Sequence, residues 1–322
     1  MTPESKGILL HLGLPKTGTT TIQRALFLQH PQIYYMGKVI NKENRSKQKC
    51  RNDLVYQVLE NILWNYNKPV DQDKVERLVR DQLLPDVQPG QHLVASWEEL
   101  GQLSTDRHIE MLKKAVAVFG RCRIMITLRN PLKMLPSEYL QNLKGHYIKS
   151  AKPWMGPSTY LSIDDWYKRR KMFGPKAAPL LNYPECIRAS VELLGEENVG
   201  VFLFEELKEN PAEYYRSICE FMAVETSIGI ELTSQSHLHE RIKEAQIDFL
   251  KGINSSWLKR YGTWLLPKKS RRRSFNRFSG GEAAKTILPE GLVEEIKSAV
   301  GEGHRWLADN FDLPLERYGY PI

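Results

Sequence analysis

ILLHLGLPKTGTTTIQ, residues 8–23, changes character twice within one short stretch. Ile8 to Leu14 is an apolar run of the length that makes a buried strand. Pro15 and Gly18 then turn the chain. After them Ile22, Ala25 and Leu26 recur at the spacing of one buried helix face, and Pro31 ends the pattern. Strand, loop and helix in that order place backbone N–H groups and the positive end of a helix dipole where they can hold a phosphate.

Outward from this stretch, strand and helix patterns keep alternating. HLVAS (92–96) predicts a second strand. Asp106 to Phe119 predicts a helix, with Ile109, Leu112, Val116 and Phe119 on one face, and CRIMITL (122–128) a third strand. A helix near Pro184 to Leu194, a strand over Val199 to Phe204 and a helix over Pro211 to Phe221 continue the series. The expectation is an α/β fold, a parallel β-sheet flanked by helices on both faces. Residues 38–92 are polar and irregular, with helical stretches at Asp53 to Trp64 and Asp73 to Leu84, and read as a crossover.

Composition limits the rest. A chain of 322 residues with 41% hydrophobic content has a sizeable core available, and a single domain over 1–322 is expected. Gly145 to Asn182 breaks the alternation with Trp154, Tyr160, Trp166 and Tyr167 among basic residues; a lid, an acceptor-side insertion and a decorated surface loop all fit it. Residues 268–281 carry a basic run, KKSRRRSFNR, expected as a loop that faces a ligand or solvent. The net charge of +8 calls for anionic partners: nucleic acid, acidic lipid or a phosphorylated small molecule. Cys50, Cys122, Cys186 and Cys219 form no CxxC pair, which argues against a zinc site or a disulfide framework. No apolar run approaches the roughly 20 residues of a membrane span, and none has a signal-peptide layout. The expected location is the cytoplasm.

The loop is specific about its phosphate. Gly13 and Gly18 have the G-x4-G spacing of a nucleotide-triphosphate loop, in which a lysine directly after the second glycine reaches the β- and γ-phosphates. Here Thr19 takes that place, and the only lysine, Lys16, lies inside the loop. An ordinary ATPase or kinase is disfavoured. A lysine there suits a bond between a 5′-phosphate and a leaving sulfuryl group, where it neutralises charge on the departing bridging oxygen.

At these residues the sequence resembles the bacterial-type sulfotransferases that use 3′-phosphoadenosine 5′-phosphosulfate (PAPS). Their 5′-phosphosulfate loop, PK[ST]GTT, matches Pro15 to Thr20. The resemblance implies that Lys16 is catalytic and that Thr17, Gly18, Thr19, Thr20 and Thr21 hold the 5′-phosphate. It extends to Arg129-Asn130-Pro131 after the third strand, with Ser137 eight residues beyond the arginine; in the family such an arginine and serine hold the 3′-phosphate. VFLFEELKENPAEYYRSICEFM (201–222) is similar to a further family segment, with Phe204 where tyrosine is usual, and WLADNFDLPLERYGYP resembles the tail of bacterial members. Arg277 opens RFSGG where cytosolic members place an R-K-G loop against the 3′-phosphate, although the motif itself departs.

Sulfuryl transfer needs a base, for which the family uses His or Glu. Ser96-Trp97-Glu98-Glu99-Leu100 is similar to the S-x-E-x-L element of bacterial relatives and makes Glu98 the first candidate, although an acidic residue in a first helical turn also explains it. Ser96 and Glu99 have the spacing of a capping box. His11, on the first strand, is the second candidate, or a strand histidine satisfied by its neighbours; His146 is the third.

The implied reaction moves the sulfuryl group of PAPS to a hydroxyl, or as second choice an amine, and releases 3′,5′-ADP without a metal. The acceptor, a saccharide, lipid or small alcohol, stays open, as does the oligomeric state. Nucleic acid is not an expected partner. A divergent P-loop kinase and a polyanion-binding module using the basic run remain as alternatives.

Overall fold

Along strand β1 (Ile8–Gly13), Ile8, Leu10 and Leu12 enter one apolar cluster and Leu9 enters another, so both faces of the strand are buried. That is the position of a central strand. The computed structural model of the chain describes residues 7–38, 49–64, 71–97, 103–150, 155–173, 181–234 and 242–322. Its sheet adds β2 (Ile33–Lys38), β3 (Lys49–Cys50), β4 (His92–Trp97), β5 (Cys122–Leu128) and β6 (Val199–Leu203) in the order β3-β2-β4-β1-β5-β6. Five strands are parallel, and the short edge strand β3 runs antiparallel to β2.

The helices divide between the two faces. Helix α1 (Thr19–Thr21) widens into a π-helical stretch over Ile22–Phe27. With α8 (Phe204–Glu209) and α9 (Pro211–Met222) it covers the side of Leu9, Val94 and Met125, and α10 (Thr226–Ser234) packs on α9. The other face carries α2 (Asp53–Leu59), α3 (Gln72–Leu78), α4 (Thr105–Phe119), α5 (Pro131–Lys149), α6 (Ile163–Phe173) and α7 (Tyr183–Leu194), with α11 (Glu244–Asn254), α12 (Trp257–Leu265), α13 (Lys268–Asn276) and α14 (Glu290–Phe311) following.

Sheet order places the site. From β1 the chain turns toward β2 on one side, and from β5 toward β6 on the other. The crevice outside the carboxyl ends of β1 and β5 is therefore the switch point at which ligands bind in open α/β sheets. The loop after β1 and the turn after β5 both open there.

Several expectations shift. Helix α5, 19 residues long, was not legible because Pro136 and Gly145 interrupt its pattern, and it takes in the first residues of the 145–182 stretch. Helix α6 occupies the middle of that stretch, and Trp166 is fully buried there against Tyr139, ring centroids 5.7 Å apart. The basic run taken as a loop is helix α13 over Lys268–Asn276. Phe204 does not end β6 but opens α8.

Candidate active site

The loop after β1 is held from below by β5. Thr17 is fully buried: its hydroxyl donates to the Leu14 carbonyl at 2.8 Å and so accepts from the Thr127 hydroxyl, also at 2.8 Å. Thr17 thus fixes the loop with its side chain. Gly13 lets the two strands close up, since a Cβ there would stand 2.4 Å from Thr127 Oγ1. Gly18 is left-handed at φ +79°, and a Cβ on it would lie 2.9 Å from Leu207 Cδ2 and 3.3 Å from Phe204 Cε2. Phe204, at the family's tyrosine position, is therefore a wall of the loop.

Lys16 is itself left-handed, at φ +69°. Such a conformation costs a residue with a Cβ roughly 1–2 kcal/mol and persists only where its surroundings enforce it. One enforcing contact is visible: Arg129 Nη1 donates to the Lys16 carbonyl oxygen at 3.2 Å. The guanidinium also lies 5.0 Å from the centre of the Phe204 ring, which Lys208 approaches to 4.7 Å.

Charge is concentrated here. Burial, followed by the Arg129 guanidinium and the Lys144 ammonium, holds the Lys16 pKa below the ordinary 10.5, with Glu138 opposing. Three cations and one buried carboxylate share the crevice. Glu138 is further engaged by Arg170 Nε at 4.0 Å and Asn142 Nδ2 at 3.4 Å, which draws its charge away from Lys16. The surplus positive charge fits a polyanionic ligand.

The turn after β5 is fixed by partners remote in sequence. Asn130 caps α5 by accepting from Leu132 N at 2.9 Å, while its Nδ2 donates to the carbonyls of Tyr318 (3.1 Å) and Gly319 (2.7 Å). Its own N–H donates to the buried Glu205 carboxylate at 3.3 Å, whose other oxygen accepts from the Tyr320 hydroxyl at 3.0 Å. Among the residues of the R-N-P turn, Asn130 holds the architecture and Arg129 faces the loop.

The structure therefore brings Lys16, Thr17, Gly18, Thr19, Thr20, Thr21 and Arg129 to one crevice. Thr19 is buried, and Thr20 and Thr21 are half-buried at the start of α1. Ser137 is half-buried on the second turn of α5. Arg277 stands exposed just past α13 and lines a surface concavity with Lys269, Arg272, Arg273 and Asn276. Glu98 lies outside the described residues.

His11 is 0% exposed: Nδ1 pairs with Ser96 Oγ at 3.1 Å and the ring meets Phe27 edge-on at 5.3 Å. Its ring is enclosed between β1, β4 and the π-helical stretch that follows α1. Ser96 is likewise a strand residue, with its hydroxyl turned to His11 rather than to a helix start. His146 is buried, with Nε2 on the Gly156 carbonyl at 3.0 Å and its ring against Trp264.

Lys144 and Glu138 were missed. Lys144 follows Ser137 by seven residues, the spacing of one helix face, and would have been found had α5 been recognised. Among the described residues no group of three or more His, Cys, Asp or Glu could hold a metal ion.

No curated protein matches the chain. Solved structures to which it is similar include the sulfotransferase of Alicyclobacillus acidocaldarius (16% identity, 85% of this chain and 100% of that one, TM-score 0.47). Mouse sulfotransferase SULT7A1 complexed with PAP is another (10% identity, 99% and 90%, TM-score 0.49). The sulfotransferase domain from the curacin biosynthetic pathway is a third (15% identity, 86% and 99%, TM-score 0.42). The model of the family described as "Sulfotransferase domain" matches residues 8–309, from the first strand through most of α14, and the chain belongs to that family.

Proposed function

We propose that this sulfotransferase takes its sulfuryl group from PAPS and passes it to a hydroxyl of its acceptor, releasing 3′,5′-ADP. The observation that carries the reading is the pairing of Lys16 with Arg129 at the carboxyl ends of adjacent strands, the two cations joined through the Lys16 carbonyl. Two anionic groups on one nucleotide match two cationic positions on one crevice.

The donor supplies an activated sulfuryl group on a 5′-phosphate. Around it, N–H groups at the start of α1 hold the 5′-phosphate, and the Lys16 ammonium sits beside the bridging oxygen, offsetting negative charge as that S–O bond breaks. Arg129 grips the 3′-phosphate with its planar fork, and Ser137 adds a neutral donor. The acceptor oxygen bonds to sulfur as Glu98 takes its proton. Acceptor identity is assigned to none of these residues. It belongs to the loops around the crevice.

Titration with 3′,5′-ADP tests the reading. AMP, which lacks the 3′-phosphate, is expected to bind about 10- to 100-fold more weakly, the worth of one charge-assisted contact. Equal affinity for the two, or tight Mg-ATP binding without 3′,5′-ADP binding, would favour the kinase alternative.

A further inference from the structure

Helix α12 is built inside out. Its buried residue is Thr263, at 8% exposure, whereas Trp257, Leu258, Tyr261 and Leu265 are between 62% and 69% exposed. At 3.6 residues per turn these four fall within an arc of about 100°, the width of the stripe that ordinarily faces a core. Leu266, directly after the helix, is exposed as well. Water is a poor environment for a contiguous patch of this kind, and such patches mark interaction surfaces.

The charge around the stripe is one-sided. Between residues 249 and 281 there are nine Lys and Arg and no Asp or Glu, more than the whole of the chain's net charge of +8. Arg271 is the exception in direction: buried, it donates from Nη1 to the Tyr147 carbonyl and to Ser150 Oγ, each at 3.0 Å, and lies 5.1 Å from the Trp264 ring. Trp264 in turn packs on His146 and donates to the Pro157 carbonyl at 3.1 Å. The inner sides of α12 and α13 are thus anchored together on the end of α5. On α13 the side chains of Lys268, Lys269, Arg272 and Arg273 are exposed, as the apolar stripe of α12 is.

We propose that the outer face of α12 and α13 is a docking surface for an anionic lipid bilayer. The Trp, Tyr and Leu side chains of α12 enter the boundary between headgroups and acyl chains, while the cations of α13 sit among lipid phosphates and carboxylates. A second copy of the chain fits less well, because a two-fold contact would bring the same unopposed cations together. A soluble polyanion would use the cations but gives Leu258 and Leu265 nothing to bury against. Docking of this kind needs no spanning segment; among the described residues no helix is long and apolar enough to be one.

The test is co-sedimentation of the full chain with vesicles of phosphatidylcholine and phosphatidylserine, against phosphatidylcholine alone. Binding to the mixed vesicles only is expected, with a blue-shifted tryptophan emission that Trp257→Phe reduces. Leu258→Ser with Leu265→Ser is expected to abolish sedimentation. Neutralising Lys268, Lys269, Arg272 and Arg273 to Gln weakens it on the order of a thousandfold, each near-surface cation contributing about 1 kcal/mol. All these positions are exposed, so the circular dichroism spectrum and 3′,5′-ADP affinity of the leucine variant stay at wild-type values, which separates this proposal from the donor reading. Three results would overturn it: no sedimentation with mixed vesicles, heparin binding that persists in the leucine variant while vesicles are ignored, or a dimer that the leucine variant dissociates.

Discussion

Arg129 donates a hydrogen bond to the carbonyl of Lys16, so the cation that ends β5 is also a clamp on the loop that follows β1. Arg129→Ala removes a loop constraint and the guanidinium fork proposed for the 3′-phosphate in one change. Affinity for 3′,5′-ADP is expected to fall about 10- to 100-fold, and Arg129→Lys, which keeps charge without the fork, to recover only part of the loss. Calorimetric titration of the three proteins measures this. Wild-type affinity in Arg129→Ala would remove the residue from the donor site.

In the proposed reaction Lys16 sets an alkaline limit. Burial and the neighbouring Arg129 and Lys144 lower its pKa below 10.5, so the unliganded protein loses the ammonium at a lower pH than an ordinary lysine would. An anionic donor favours the charged form and moves the loss upward. The alkaline limb of kcat/KM is therefore expected at lower pH than that of kcat. Lys16→Arg, charged throughout, flattens both. Lys16→Met is expected to cut kcat by about 100- to 1,000-fold with a smaller change in 3′,5′-ADP binding. Coincident limbs in the wild type would contradict this account.

Glu98→Gln keeps size and polarity but cannot accept the acceptor's proton. Turnover is expected to fall by about 100- to 10,000-fold while 3′,5′-ADP binds as before, a separation that pre-steady-state transfer and titration together resolve. Unchanged turnover would assign the proton to another group.

Two histidines tie stability to pH. Burial pushes His108 and His304 from 6.5 down to about 4, against the Pro321 carbonyl in the case of His304; His108 pairs with Ser190, and His304 with Tyr183 and Pro321. As pH falls from 6.5 toward 4 the unfolded chain takes up protons that the folded one refuses. Stability contributed by each is complete above pH 6.5 and is lost progressively down to about pH 4, on the order of 3 kcal/mol per imidazole. His108→Gln is expected to make the fall of Tm with acidification shallower. An unchanged slope would mean that His108 protonates in place.

What was legible in the sequence was what is local. Pro15 and Gly18 announce the turn that carries Lys16 because the strand, turn and helix that make it are contiguous, and Arg129 is named by the strand before it. Glu138 and Arg170 meet across 32 residues, and Asn130 and Gly319 across 189, and no short-range pattern carries such pairings. Helix α5 was hidden by Pro136 and Gly145, and with it went Lys144. The spacing of Trp257, Leu258, Tyr261 and Leu265 predicts an amphipathic helix, but periodicity cannot say which side of a helix is covered. The enclosure of His11 between β1 and β4 could not be read from its residue type.

The amide of Asn130 takes its partners from residues 188 and 189 positions further along the chain. Proteins are made from the N-terminus at about 5–20 residues per second, so Arg129 leaves the ribosome roughly 10–40 s before the carbonyls that steady its turn exist. During that interval every donor-facing side chain described for this crevice is already present, yet the turn that aims Arg129 is untied. Competence to hold nucleotide is in this sense a birth-order property: the loop after β1 supplies the lysine, and residues made long after it decide when it has company.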